Sequence, residues 1–144
     1  MKKTDAFPIQ RLMLIDDSSF DQMIYQRIAR KSGLVETLLQ YVDATKALDY
    51  LNDPTTDNPD LILLDINMPR MDGFEFLEAA TEKFGVEICP IIVMLTTSLN
   101  PKDKQRAKSF PVVRDFLHKP LTQDQLRNLC DLVAKETEKR RSIG

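Results

Sequence analysis

The chain has 144 residues, 42% of them hydrophobic, enough for one compact domain with a single core at a size where folding removes roughly 70% of the unfolded surface from water. Its 20 basic and 22 acidic side chains leave a formal charge of −2, so nothing drives binding to a phosphate backbone and nucleic acid is not an expected ligand. Cys89 and Cys130 lie far apart beside a single histidine, with no CxxC pair. That spacing argues against a zinc site or a disulfide and for two reduced, packed thiols. The opening MKKTDAFPIQ lacks the apolar stretch of a signal peptide, and runs such as IIVML are too short to span a bilayer. A cytoplasmic protein without membrane contacts is expected.

In chain order, short apolar segments alternate with stretches of helical spacing. RLMLI (11–15), TLLQYV (37–42), LILL (61–64), IIVML (91–95) and VVRDFL (112–117) have strand length, and four of the five read as buried on both faces or nearly so. Between the first two, Phe20, Ile24 and Ile28 suggest one apolar helix face; Ala44, Ala47, Leu48 and Leu51 suggest a second, and Phe76, Leu77 and Ala80 a third. A weaker helix is expected over 101–108, with Asn100 as N-cap and Pro101 at the first helical position. The last, from Thr122 to about Lys139, starts on a Thr122/Gln125 capping box and gathers Leu126, Leu129, Cys130 and Val133 on one side. NDPTTDNP (52–59) and FGVEICP (84–90) read as linkers before the third and fourth strands. Strand and helix alternating five times implies an α/β fold, a five-stranded parallel sheet with helices on both faces.

All strands of such a sheet deliver their carboxyl ends to one edge, where ligands bind. The first ends on Asp16 and Asp17, the third on Asp65, the fourth on Thr96 and Thr97, and the fifth is followed by Lys119 and Pro120. Each has an ordinary alternative: DDSS and DGFE can cap helices, Thr96 can simply end a strand, and Lys119 can be a solvated loop charge. Capping alone does not explain three carboxylates, a hydroxyl and a lysine converging on one rim. Crowded carboxylates repel, and a hard divalent cation such as Mg²⁺ relieves them. The four glycines form neither GxGxxG nor GxxxxGK[ST], so phosphate would be neutralised by Mg²⁺, Lys119 and a hydroxyl rather than by a glycine-rich loop. That suits an aspartate that itself becomes phosphorylated, since a carboxylate is already ionised at neutral pH. On this view the third strand ends on Asp65 because a nucleophile needs a rigid support, and Pro69 and Gly73 shape the turn that clears it.

LIDDS (14–18), LLDINMPRMDGFEFL (63–77), MLTTS (94–98) and FLHKP (116–120), in that order and spanning about Arg11 to Val133, resemble the receiver domain of two-component response regulators, in particular the single-domain, chemotaxis-regulator-like kind. The resemblance implies a doubly wound, flavodoxin-like fold with strand order 2-1-3-4-5, with residues 11–138 as the receiver, 1–10 as an N-terminal extension and 139–144 as a short tail. It implies that Asp65 accepts a phosphoryl group from a histidine kinase or histidine phosphotransfer protein. Asp16, Asp17, Asp65 and the backbone carbonyl of Asn67 would hold Mg²⁺, Thr96 would bond the phosphoryl oxygens, Lys119 would form an ion pair with them, and Phe116 would be the aromatic rotamer switch. Thr97 is bulkier than the small residues common at its place in the family and would modulate access by water and small phosphodonors. His118 reads as a strand-end residue, and Met68, Met71 and Met94 as packing.

The implied output is a surface of the fourth helix, fifth strand and fifth helix that binds a downstream protein; a second copy of the chain is an alternative partner. The expected protein is a stand-alone phosphoacceptor, not an enzyme beyond its own phosphorylation and autodephosphorylation. No helix-turn-helix fits after Leu132. A phosphate sink or phosphotransfer intermediate would use the same residues without a regulated target. A haloacid-dehalogenase-type phosphatase would want a second acid two residues after its nucleophile, where this chain has Asn67.

Overall fold

The structure, a computed structural model, describes residues 7–88 and 90–143, with side chains described for all of these except 86–88 and 140–143. The elements run β1 (Ile9–Ile15), α1 (Ser19–Ser32), β2 (Val35–Tyr41), α2 (Ala44–Asn52), β3 (Leu61–Leu64), α3 (Gly73–Ile88), β4 (Ile91–Thr96), α4 (Pro101–Lys108), β5 (Val113–His118) and α5 (Gln123–Ile143). All strand pairs are parallel, in the order β2-β1-β3-β4-β5, as the resemblance implies.

The period-2 alternation of strand side chains sorts the core into two layers. Met13, Ile15, Ile62, Leu64, Ile92 and Met94 face one side, where Ala44, Ala47 and Leu51 of α2, Phe76, Leu77 and Ala80 of α3 and Ala107 of α4 cover them. Leu12, Leu14, Leu61, Leu63, Val93 and Leu95 face the other, under Tyr25 of α1 and Leu126, Leu129, Cys130 and Val133 of α5. Each fully buried Leu or Ile in these layers stabilises by about 1.5–3 kcal/mol. Cys130 is a free, buried thiol as expected; Cys89 lies outside the described residues.

Helix starts follow the chemistry of their caps. The Asn100 side chain accepts from the Lys102 amide with Pro101 behind it, and Thr122 and Gln125 exchange the two bonds of a capping box. Asp72 and Glu75 form another at the start of α3.

Several expectations are corrected. Three strands, not four, are centrally buried: β2 and β5 are the sheet edges, and Glu36, Thr37, Arg114 and Asp115 reach solvent because only one strand pairs with each. The first strand begins at Ile9 rather than residue 11, since the Ile9 amide bonds the Leu34 carbonyl and extends the ladder. The 84–90 linker is in part helical: α3 breaks at Gly85, whose φ of 76° suits glycine, and one further turn follows to Ile88. On α1 the fully buried residues are Gln22, Tyr25 and Ala29; of the expected face, Ile28 packs half-buried against the same layer, Ile24 is half-buried, and Phe20 is 68% exposed. Gln22 turns inward, where its amide donates to the carbonyls of Leu14, Asp16 and Tyr41 at the ends of β1 and β2, the last of which also accepts from the Asp16 amide.

Candidate phosphoacceptor site

Backbone bonds carry the sheet one residue past the strand ends and so fix the rim. The Asp16 amide donates to Tyr41, the Asp65 amide to Ile15, and the Lys119 amide to Thr96, at 2.9–3.0 Å. Asp16, Asp65 and Thr96 are buried at the mouth, whereas Asp17, Asn67 and Thr97 are exposed around it. Ser18 caps α1 by accepting from the Asp21 amide, and its own amide donates to Asp16 Oδ1. Thus DDSS caps a helix and also supplies acids to the rim.

After Asn67 the chain turns sharply away. The Met71 amide bonds the Pro69 carbonyl around Arg70, whose φ is 68°, and the Gly73 amide bonds the Ile66 carbonyl. Gly73 lies so close to the chain at Asp65 that a Cβ would fall 2.4 Å from the Asp65 carbonyl oxygen and 2.9 Å from Ile66 Cα, both backbone atoms. Gly73→Ala therefore displaces the backbone that carries Asp65. The expected result is a loss of about 1–3 kcal/mol in a urea melt, the usual penalty for overpacking. Any phosphorylation at Asp65 should slow by up to about a hundredfold, because reacting groups tolerate little misplacement.

The charges meet at Lys119. Its Nζ lies 2.7 Å from Asp16 Oδ2, 2.9 Å from Asp21 Oδ2 and 3.3 Å from Asp65 Oδ2. Tyr25 donates its hydroxyl to the same Asp16 oxygen at 2.8 Å, and the Ile66 amide donates to Asp65 Oδ1 at 2.8 Å. Burial raises the Asp65 pKa, and the Asp16 charge adds to the rise; Lys119, the Thr96 hydroxyl and the Ile66 amide pull the other way. Burial alone would lower the Lys119 pKa, but hydrogen bonds to Asp16 and Asp21 and the Asp65 charge outweigh it, so the ammonium is held above its usual value. Burial and the neighbouring Asp16 push the Tyr25 phenol far up, keeping it a neutral donor.

Asp16, Asp17 and Asp65 each offer a carboxylate oxygen, all within 4.8 Å of one another. Such an all-oxygen set suits a hard divalent cation, and two of its acids together with Asp21 surround the Lys119 ammonium. Phe116 is half-buried on β5, packed against the layer under α2, α3 and α4, with its ring edge-on to His118 at 5.7 Å. His118 ends β5, as read from sequence.

The structure thus brings Asp16, Asp17, Asp65, Thr96 and Lys119 to one rim, with Asn67 and Thr97 in the bordering loops and Phe116 on the adjoining edge strand. Sequence reasoning missed Asp21, Gln22 and Tyr25. The available signal was polar and aromatic groups three and four residues apart directly after the acidic pair, which puts them on one face of the following helix.

A parallel five-stranded sheet in 2-1-3-4-5 order with acids and a lysine at its carboxyl edge defines the class. Residues 12–131 match the response regulator receiver domain, and the chain belongs to that family. It is 30% identical to the response regulator Rcp1 of Synechocystis over 89% of this chain and 84% of that one. Among solved structures, a two-component response regulator from Cytophaga hutchinsonii superposes with a TM-score of 0.81 at 29% identity, covering 88% of this chain and 98% of that one. A Mn²⁺-bound form of Rcp1 superposes with a TM-score of 0.69 at 28% identity, covering 86% and 88%. Among the described residues no helix is long and apolar enough to cross a membrane.

Proposed function

We propose that Asp65 accepts a phosphoryl group from a phosphohistidine of a sensor kinase or phosphotransfer protein, in the cytoplasm, and that the phosphorylated chain signals by binding another protein. The observation that carries this reading is the convergence of Lys119 Nζ on Asp16 and Asp65, with Asp17 within ligand distance of both acids. An Asp65 carboxylate oxygen attacks phosphorus as the bond from phosphorus to the imidazole nitrogen breaks, the nitrogen keeping the electron pair. Asp65 supplies a nucleophile held on a rigid strand end, Lys119 offsets negative charge on the transferred oxygens, and Thr96 donates its hydroxyl to one of them. Mg²⁺ held by Asp16, Asp17, Asp65 and the Asn67 carbonyl would neutralise further phosphoryl charge. In autodephosphorylation water attacks phosphorus as the bond from phosphorus to the Asp65 oxygen breaks, releasing inorganic phosphate and the carboxylate, and the exposed Thr97 at the rim would limit the approach of that water.

Output follows from the position of Phe116. A Thr96 hydroxyl drawn to the phosphoryl group vacates space toward which the half-buried ring can turn, reshaping the face made by α4, β5 and α5. A downstream protein, or a second copy of the chain, binds there. Phe116→Ala should label normally yet lose the difference in partner binding between its phosphorylated and unphosphorylated forms. A pull-down in which that difference survives would remove Phe116 from the switch.

The test of the whole reading is incubation with Mg²⁺ and a small phosphodonor, followed by intact mass spectrometry and capture of proteins from a lysate on both forms. One phosphoryl group per chain and partners retained only by the labelled form are expected. A chain that stays unlabelled with Mg²⁺ present refutes it, and rapid back-transfer to a kinase without any phosphorylation-dependent complex would favour a phosphate sink.

A further inference from the structure

Among the described residues, Asp21 is the one acid at Lys119 that lies outside the carboxylate group able to share a cation. It sits in the first turn of α1, where an acid stabilises the helix amino terminus by about 0.3–1 kcal/mol wherever its side chain points. Its carboxylate does not point to solvent. It reaches across 98 residues of sequence to Lys119 Nζ at 2.9 Å, closer than Asp65 at 3.3 Å.

From this geometry we infer that Asp21 is a positioning residue that holds the Lys119 ammonium back from Asp65, so that it restrains the affinity of the site for a phosphoryl group. The inference rests on Asp65 being the phosphoacceptor. An ammonium has three protons. In this structure Asp16, Asp21 and Asp65 all lie within 3.3 Å of it, and the two shorter contacts are to Asp16, just after β1, and Asp21, in the first turn of α1. A phosphoryl oxygen arriving on Asp65 must compete with Asp21 for the ammonium, and it also meets the Asp21 negative charge. Neutralising Asp21 removes both obstacles while leaving Asp16 to anchor the lysine. The restraint keeps the phosphorylated form weakly favoured, as a reversible signal requires.

Beryllofluoride binding with Mg²⁺, followed by calorimetry, tests this at equilibrium, because the ligand mimics a phosphoryl group on an aspartate and needs no turnover. Asp21→Asn should bind about three- to tenfold more tightly than wild type, while Asp21→Glu, which keeps the charge, should stay within about twofold of wild type. Mg²⁺ affinity measured alone should be little changed in Asp21→Asn. In a Lys119→Ala background the gain from Asp21→Asn should shrink, since part of it runs through the ammonium. Unchanged or weaker beryllofluoride binding in Asp21→Asn, checked as folded by circular dichroism, would overturn the inference, and Asp21→Ala offers the same test if Asn does not fold. An equal gain with and without Lys119 would also overturn it, leaving bare charge in place of positioning. If folded wild-type protein binds no beryllofluoride, the phosphoacceptor reading itself fails.

Discussion

Asp65→Asn should abolish phosphoryl labelling and at the same time make the protein more stable. The first half follows from chemistry, because an amide oxygen carries no charge with which to attack phosphorus and forms no acyl phosphate. The second follows from the site's electrostatics. Asp65 is only 7% exposed, and burial and the Asp16 charge raise its pKa. A carboxyl whose folded pKa lies above its unfolded value opposes folding at any pH above the folded value; the penalty is relieved as the pH falls through that value. Asn removes the penalty, keeps the volume and can still accept from the Ile66 amide, while Lys119 retains Asp16 and Asp21. The gain at neutral pH should be on the order of 1 kcal/mol, the usual scale of a single substitution, or about 3 °C in melting temperature for a chain of this length. Thermal melts in Mg²⁺-free buffer should show this advantage at pH 7 and its decline toward acid pH. A melting temperature below wild type at pH 7 would mean that the carboxylate stabilises the fold.

Lys119→Ala should act in the opposite sense on stability. The side chains of Lys119, Asp16 and Asp65 are all at most 10% exposed, so removing the ammonium strands two buried carboxylates beside each other. Breaking a buried pair from one side costs about 3–5 kcal/mol, and here the Tyr25 and Ser18 donors to Asp16 soften the loss to about 2–4 kcal/mol. Lys119 is one of the groups that pull the Asp65 pKa down, so without it Asp65 titrates higher in the folded state; the deficit should be full at neutral pH and narrow as the pH falls and Asp65 protonates. Added Mg²⁺ should narrow it too, and by more than it raises wild type. Labelling should persist at about a tenth to a hundredth of the wild-type rate, the scale of losing one charge-stabilising group, but phosphorylation-dependent partner binding should disappear. Denaturant melts with and without Mg²⁺ together with timed labelling check all of this. Full partner binding by the phosphorylated variant would remove Lys119 from the output mechanism.

The parts of this site that sequence exposes are those that depend on strand position alone. A parallel sheet sends every strand's carboxyl end to one edge, so Asp16, Asp65, Thr96 and Lys119 were placeable from segment boundaries and the edge rule, and all four lie there. What stayed hidden depends on which way a helix rolls. The apolar spacing of Phe20, Ile24 and Ile28 favours one face of α1, but carbonyls at the ends of β1 and β2 and the buried Asp16 bond Gln22 and Tyr25 beside it, and Phe20 is left exposed while Ile28 still packs on the core. That roll of the helix brings Asp21 to Lys119, a partner 98 residues away in sequence. The edge strands were misjudged for a related reason: apolar content indicates how much of a strand can be buried, not how many neighbours it has.

The most direct measurement is to locate the phosphoryl group. Protein incubated with a small phosphodonor is reduced with borohydride, which converts an aspartyl phosphate to homoserine, and the digest is sequenced by mass spectrometry. Homoserine at position 65 when Mg²⁺ is present, and none when EDTA removes it, is the expected result. Homoserine at Asp16, Asp17 or Asp21 in place of Asp65, or equal labelling without any divalent cation, would contradict it.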